Sequence, residues 1–376
     1  MKILVLGCGE MGKAAVYDLY KYGNFKEIII GTRSIEKAKK VMQELSGKKL
    51  KLSPREIDVK NTEGLEALMR GTDVVVNCIG PNYKYEVSIA QTAIRARVDL
   101  VDINDEYETT FEMLDLDENA KEAGITIILG LGSSPGINNI LARAAAEQLD
   151  EVDEVHTAWV MSAADPGGLA LSYHLLYSLS GKALTYQDGK FVEVRSFVDG
   201  KEKMKFPEPV GEKVVYHVGH PEPITLSRSF KGAKIINDKA TFHPSFLNDL
   251  ILNLGKMARE AENPIKVGKS RIDAMDFAAS YFHEKCKSLK GVPKEGALRV
   301  AVKGRKEKKT KKIVYSSSGL IAEGTGIAAS IGAQMLAKGK IRCKGVSPPE
   351  ECVDWREFLK NIISRKIGQL DIKEEG

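Results

Sequence analysis

No run of this sequence reaches the roughly 18 consecutive apolar residues that a helix needs to cross a bilayer, so a helical membrane protein is excluded. No basic leader with a cleavage-site pattern precedes the first hydrophobic stretch at Lys2, and a cytoplasmic location is expected. Cysteine is scarce: five residues, at 8, 78, 286, 343 and 352, with no C-x-x-C pair and no zinc spacing. That excludes a disulfide framework, gives no reason to expect a metal, and fits a reducing compartment. Charge excess is lacking too, at +5 over 376 residues, and the most basic stretch, Lys303 to Lys312, lies between two apolar strands and reads as a solvated hairpin. Basic residues are not interleaved with aromatics and no helix-turn-helix or zinc-finger pattern occurs, so no nucleic-acid partner is expected.

What the sequence has is a chain long enough for two domains and a strand that runs directly into a glycine-spaced turn. Lys2-Ile-Leu-Val-Leu6 is followed by Gly7, Gly9 and Gly12 in G-x-G-x-x-G spacing, and then by a helix from Met11 to about Tyr22. In such a turn the first glycine permits the bend, the second lets a pyrophosphate approach the backbone, and the third lets the helix pack on the strand. The helix N-terminus, with Glu10 and Met11 in its first turn, offers free N–H groups and a positive dipole end to the phosphates.

After the second strand the acid that would bind the ribose hydroxyls of NAD is missing. Gly31-Thr-Arg-Ser34 stands there instead. Arg33 can grip a 2′-phosphate with two parallel hydrogen bonds, and Thr32 and Ser34 can donate to it; NADP is therefore expected, with NAD possible. Ser34 is equally placed to cap the helix from Ile35 to Leu45. Asp58, at the end of the third strand, either meets the adenine amino group or caps the helix from Asn61 to Arg70. The buried strand Asp73 to Ile79 ends in Gly80, Pro81 and Asn82, so Asn77, Gly80 and Pro81 either border the nicotinamide end of the cofactor or form a plain turn. Asp102 and Asn104 fall at the carboxyl end of the strand from Val98. Gly130 to Ile140 is a second glycine-rich helix entry, whose start at Gly136 is a candidate for holding a substrate carboxylate.

Apolar strands alternate with amphipathic helices through residue 129, the pattern of a parallel sheet covered on both faces. Beyond Asp150 the texture changes to longer alternating strands, at 152–161, 191–197 and 213–218, which read as a mostly antiparallel second sheet. Asp165 to Gly168 reads as a loop, followed by a helix containing His174, which on its own reads as a packed residue. Tyr216 to Arg228 crowds two imidazoles, an acid, two prolines and an arginine into what reads as a rigid turn. His220, Glu222 and Arg228 are therefore candidates to face the substrate: His220 as proton acceptor, Glu222 or Asp102 for an amine, Arg228 for a carboxylate. The small-residue helix at 323–336 is expected to pack closely and to return the chain to the first domain.

Taken together, GCGEMG at 7–12, GTRS at 31–34, NCIGP at 77–81, VDLVDIN at 98–104, GSSPGINNILA at 132–142, GTGIAASIGAQML at 324–336 and GVSPPEECVD at 345–354 resemble the saccharopine dehydrogenase family over nearly the whole chain. The resemblance implies an α/β protein with a Rossmann domain at 1–135, an inserted α+β substrate and dimerisation domain at 136–318, and a segment at 319–376 returning to the Rossmann domain. It implies an NAD(P)-dependent homodimeric enzyme acting on the C–N bond of an amino acid or N-substituted amino acid. Saccharopine, lysine and polyamine precursors are the substrates it leaves open, beside a binding protein that has lost the chemistry.

Overall fold

The computed structural model of the protein describes residues 1–45, 47, 50–165 and 167–375. The chain forms two compact units, one of Met1–Ile140 with Ala322–Ile367, the other of Leu141–Ile321 with the residues from Gly368 onward. Pro166, in the loop expected at 165–168, lies outside the described residues.

In the first unit seven parallel strands follow the order Gly345–Ser347, Thr126–Ile128, Asp99–Asp102, Val74–Asn77, Lys2–Leu6, Glu27–Thr32, Lys51–Glu56. The chain reverses its direction of travel across the sheet between Lys2–Leu6 and Val74–Asn77, the point where open α/β sheets leave a crevice for ligands. Ile3, Leu4, Leu6, Ile28, Val75 and Leu100 are fully buried because helices cover both faces, and strands buried on both sides need continuous rather than alternating apolar residues. The register sets the site: Leu6 pairs with Gly31 and Asn77, and Asn77 with Asp102, so four strands end in line and deliver their following loops to one edge.

The helix Ile321–Ala337 packs as its small residues require. A Cβ on Gly326 would lie 2.1 Å from the Met11 carbonyl oxygen, so nothing larger than glycine lets this helix meet the one from Glu10 to Tyr22. Beside that contact Asp18 is buried and saturated: Ser330 Oγ donates to it at 2.7 Å, Gln334 Nε2 at 2.9 Å and Arg365 Nε at 2.9 Å. The C-terminal helix Trp355–Arg365 is thereby tied to the first helix of the chain.

In the second unit the strands run in the order Glu202–Lys205, Glu212–His217, Ile235–His243, Glu151–Ser162, Gly296–Lys306, Lys309–Gly319, Gln369–Glu375, with Lys182–Gln187 and Lys190–Arg195 pairing off Ile235–His243. Among the described residues of this sheet only the Ile235–His243 and Glu151–Ser162 pair is parallel. The basic stretch is a hairpin tip: Glu307 and Lys308 take φ of 50° and 65°, the conformation of a two-residue turn that matches strand twist.

Two expectations need correcting. The segment 319–376 does not all return to the first unit, because Gln369–Glu375 pairs antiparallel with Lys309–Gly319 and covers what would otherwise be an open sheet edge. The stretch from Tyr216 to Arg228 is not one turn but the end of a strand, a short loop and the helix Glu222–Ser229, since Pro221 and Pro223 sit where a helix tolerates proline, at its start.

Candidate active site

The three glycines of the first turn are needed for different reasons. Gly7 has φ of 94°, and a Cβ there would lie 2.7 Å from the Cys78 carbonyl oxygen; at Gly12 it would lie 2.2 Å from the Gly7 carbonyl oxygen. Both are fixed by the protein's own backbone. Gly9 is different, with φ of −81° and no atom of the described residues within 4 Å of where a Cβ would lie. A side chain would fit there as far as this chain is concerned, so the space beside Gly9 is a cradle. Gly9 also caps the helix Glu10–Tyr22 without a side-chain bond, and the backbone N–H groups of Glu10, Met11 and Gly12 have no acceptor among the described residues. Exposed donors at a helix start beside an open cradle suit a pyrophosphate.

At the end of the second strand Arg33 is exposed and pairs with no carboxylate among the described residues. Thr32 Oγ1 accepts from the Ser34 backbone at 3.1 Å, which leaves its proton to donate. Ser34 precedes the helix Ile35–Glu44 but makes no side-chain capping bond, so the capping alternative has no hydrogen bond behind it. Lys13 and Lys37 both act electrostatically on the Cys8 thiol, giving this edge a positive field, although burial is the larger effect and raises Cys8. The capping alternative for Asp58 is overturned. Asn61 caps the helix Thr62–Met69, accepting from Gly64 at 3.0 Å, while exposed Asp58 turns its Oδ1 to the Lys60 backbone at 3.1 Å.

Behind the loop at Gly80 and Pro81 the polar groups are buried. Asn77 donates to Glu86 Oε2 at 2.8 Å and accepts from the Ile79 backbone at 3.1 Å, which fixes the loop into Gly80 and Pro81. Asp102 Oδ1 accepts from the backbones of Asn104 and Gly130, each at 2.8 Å. Asp102 Oδ2 and Glu86 Oε1 are buried with no hydrogen-bond partner among the described residues. Burial pushes the Asp102 carboxyl up to about 7 against those two backbone bonds, with Asp105 adding repulsion. Glu86 stands well above the carboxylate range, first from burial and then from the Asp102 charge.

At Asp102 the folded state thus keeps a proton that the unfolded chain has lost, between the usual carboxylate pKa near ~4 and the value of about 7. The contribution of Asp102 to stability should fall as pH rises through that window. Asp102→Asn keeps the Oδ1 acceptor and removes the titrating group, so it should flatten the slope and stabilise the protein on the alkaline side, each displaced pKa unit being worth ~1.4 kcal/mol. Urea unfolding at a series of pH values reads this directly; a slope identical to the wild type would place the proton elsewhere.

The helix start at Gly136 is not a free anion site. Gly136 N–H donates to Asn139 Oδ1 at 3.0 Å, Ile137 N–H to the Gly132 carbonyl at 2.8 Å and Asn138 N–H to the Ser133 carbonyl at 3.1 Å. The loop consumes the donors that a carboxylate would need.

In the second unit His220 lies in a buried polar cluster. Its Nδ1 is 3.0 Å from Glu222 Oε2 and 3.9 Å from Asp238 Oδ2. Asp238 in turn accepts from Thr157 Oγ1 at 2.6 Å and from Trp159 Nε1 at 2.9 Å. Burial, and then the charge of Glu222, hold Asp238 well above the usual carboxylate range. A carboxylate only accepts, so Nδ1 is the donor of the pair, and Nε2 has no hydrogen bond among the described residues. The Trp159 ring centroid lies 5.1 Å from that of the imidazole, and that of His174, bonded to Ser178, lies 6.0 Å from it.

The structure therefore brings His220 and Glu222 together but leaves out Arg228. Arg228 is exposed in the last turn of the helix that Glu222 begins, and six residues of helix turn the two side chains to different sides. Sequence reasoning missed Asp238, Trp159 and Glu86 and set His174 aside. Asp238 had a signal, an acid interrupting the apolar strand from Ile235, where an unpaired charge is costly.

Known families match the chain along nearly its whole length. Residues 3–128 match the saccharopine dehydrogenase NADP binding domain and residues 132–367 the saccharopine dehydrogenase C-terminal domain. The chain is 21% identical to a carboxyaminopropylagmatine dehydrogenase of Synechocystis, over 99% of this chain and 96% of that protein. It is 24% identical to a carboxynorspermidine synthase of Vibrio alginolyticus, over 97% and 95%, and 27% identical to the L-glutamate-forming saccharopine dehydrogenase of Pyricularia oryzae, over 51% and 43%. The same fold is seen in saccharopine dehydrogenase (L-Glu forming) from Saccharomyces cerevisiae, with a TM-score of 0.73 at 15% identity over all of both chains.

Proposed function

Since the chain belongs to the saccharopine dehydrogenase family and is an NAD(P)-dependent oxidoreductase of that type, we propose that it acts on the C–N bond of a carboxylated polyamine precursor. The observation that carries the cofactor half is the open cradle at Gly9, in a turn whose other two glycines are filled by backbone. The substrate class is supported by the two relatives named for carboxylated polyamines, which align along nearly the entire chain, whereas the Pyricularia saccharopine dehydrogenase aligns over 51% of it.

NADP, when bound, supplies the hydride donor or acceptor for the substrate's amine-bearing carbon. The turn at Gly7, Gly9 and Gly12 with the N–H groups of Glu10 and Met11 holds the pyrophosphate, and Thr32, Arg33 and Ser34 hold the 2′-phosphate. Asp58 meets the adenine amino group, and Asn77, Gly80 and Pro81 border the nicotinamide. Asp102, with an oxygen that no internal donor reaches, holds the substrate amine. In the second unit His220 Nε2 takes a proton, and Glu222 orients the ring. Exposed Phe246 and the stacked, exposed pair Phe277 and Tyr281 support a homodimer in solution, and the five unbridged cysteines support a cytoplasmic setting.

Turnover assays with carboxynorspermidine, carboxyaminopropylagmatine, saccharopine and lysine, each with NADP and NAD, test the assignment. Highest kcat/KM with a carboxylated polyamine is the expected result, and preference for saccharopine or lysine would refute the substrate class. Cofactor choice has its own test. A charge-assisted hydrogen bond contributes ~1.5–3 kcal/mol, so Arg33→Asp should weaken NADP binding by about 10- to 150-fold and leave NAD binding little changed. Fluorescence titration with both dinucleotides measures it; tighter binding of NAD by the unaltered protein would remove Arg33 from the phosphate site.

A further inference from the structure

One imidazole and two carboxyl groups converge inside the second unit. One ligand atom from each of His220, Glu222 and Asp238 lies within 4.8 Å of the other two, with His220 Nδ1 3.0 Å from Glu222 Oε2 and 3.9 Å from Asp238 Oδ2. The ligand atoms of a tetrahedral zinc, at bond lengths of ~2.0–2.2 Å, stand about 3.4 Å apart, and the two imidazole distances bracket that spacing. Backbone bonds hold the three residues in place. Val218 N–H donates to the Asp238 carbonyl at 3.4 Å and His220 N–H to the Val218 carbonyl at 3.0 Å, which ties the loop to the strand Ile235–His243, and Glu222 begins the helix Glu222–Ser229. Thr157 Oγ1 and Trp159 Nε1 hold Asp238 from behind, as outer hydrogen bonds orient a metal-binding carboxylate.

Charge points the same way independently. His220, Glu222 and Asp238 are 3%, 0% and 1% exposed, and buried charges are costly unless matched. One imidazolium matches one carboxylate and leaves the second over. A divalent cation matches both while the imidazole stays neutral. The repulsion from Glu222 that helps burial to raise Asp238 is what such a cation would relieve. We propose that His220, Glu222 and Asp238 bind a divalent transition-metal ion, zinc being the best fit, through His220 Nδ1 and one oxygen of each carboxylate. Imidazole suits zinc, whereas calcium and magnesium take oxygen ligands. The ion replaces the Nδ1 proton, which passes to solvent, and three protein ligands leave a fourth tetrahedral position to water. A neutral imidazole with a metal on Nδ1 carries its proton on Nε2, so bound zinc blocks proton uptake there and inhibits turnover. That consequence rests on the role proposed for His220; the binding does not.

The full-length protein, stripped with a chelator and titrated with Co²⁺, tests the site without any turnover. The expected result is visible absorption of four-coordinate cobalt that saturates at one ion per chain and is abolished by Zn²⁺, with an anomalous peak between His220, Glu222 and Asp238 in crystals soaked with cobalt. No saturable absorption, or a peak at His174 or at a cysteine instead, overturns the proposal, and the unaltered chain alone decides this. Trp159→Phe keeps a ring beside the imidazole and removes a donor to Asp238, so cobalt affinity should fall about 10- to 100-fold; unchanged affinity counts against the site. Zinc inhibition that follows the same binding curve supports the consequence for turnover. Full activity of the zinc-loaded protein would leave the metal site standing and take Nε2 out of the reaction.

Discussion

Gly9→Val should bind neither NADP nor NAD measurably while folding like the wild type. The backbone at Gly9 has φ of −81°, which an L residue adopts without strain, and the added carbons meet no atom of the protein within 4 Å of the Cβ position. They would fill the space through which a pyrophosphate reaches the N–H groups of Glu10, Met11 and Gly12. Loss of two charge-assisted bonds at ~1.5–3 kcal/mol each corresponds to at least about 100-fold in affinity. Thermal unfolding supplies the control, since a surface substitution away from packing and hydrogen bonds changes stability by no more than ~0.5 kcal/mol. Gly12→Ala makes the contrast: its Cβ would sit 2.2 Å from the Gly7 carbonyl oxygen, so that variant should lose stability and binding together. Undiminished affinity in Gly9→Val would mean that the dinucleotide lies elsewhere.

These two glycines also mark how far the sequence could be read. Strand, turn and helix at 2–22 are local, and G-x-G-x-x-G spacing states the turn's geometry in the residues themselves. The alignment of Leu6, Gly31, Asn77 and Asp102 along one edge then follows from parallel strands of similar length with short connections. The second unit was less legible because its site is made by pairing between strands far apart in sequence. Thr157 and Trp159 reach Asp238 only because Glu151–Ser162 lies parallel to Ile235–His243, and nothing local in either segment announces that partner. The final strand is a similar case: Gln369–Glu375 finds Lys309–Gly319 across more than fifty residues, while its neighbours in sequence belong to the first unit. Proline misled in a different way. Between Tyr216 and Arg228 the prolines read as rigidity in a loop, whereas at the first positions of a helix proline costs nothing, because the N–H it lacks would have no partner there.

His220→Asn should lower kcat by about 10²- to 10⁴-fold, the usual worth of a positioned acid or base, with little change in NADP affinity. The choice of asparagine follows from the burial of the pair. His220 is 3% exposed and Glu222 0%, so His220→Ala would strip a donor from a buried carboxyl and add a cavity beside Trp159. Leaving a buried acceptor without its donor costs ~1–3 kcal/mol, and alanine would therefore lose stability and activity at once. Asparagine carries an amide donor close to where Nδ1 stands and so can keep the bond to Glu222, but it has nothing at the position of Nε2. Comparing the two variants separates the roles of the two ring nitrogens. If His220 is the proton acceptor, asparagine should recover most of the thermal stability lost by alanine and none of the turnover. If asparagine recovers both, His220 acts only by filling and bonding the cluster, and the proton must pass through another group.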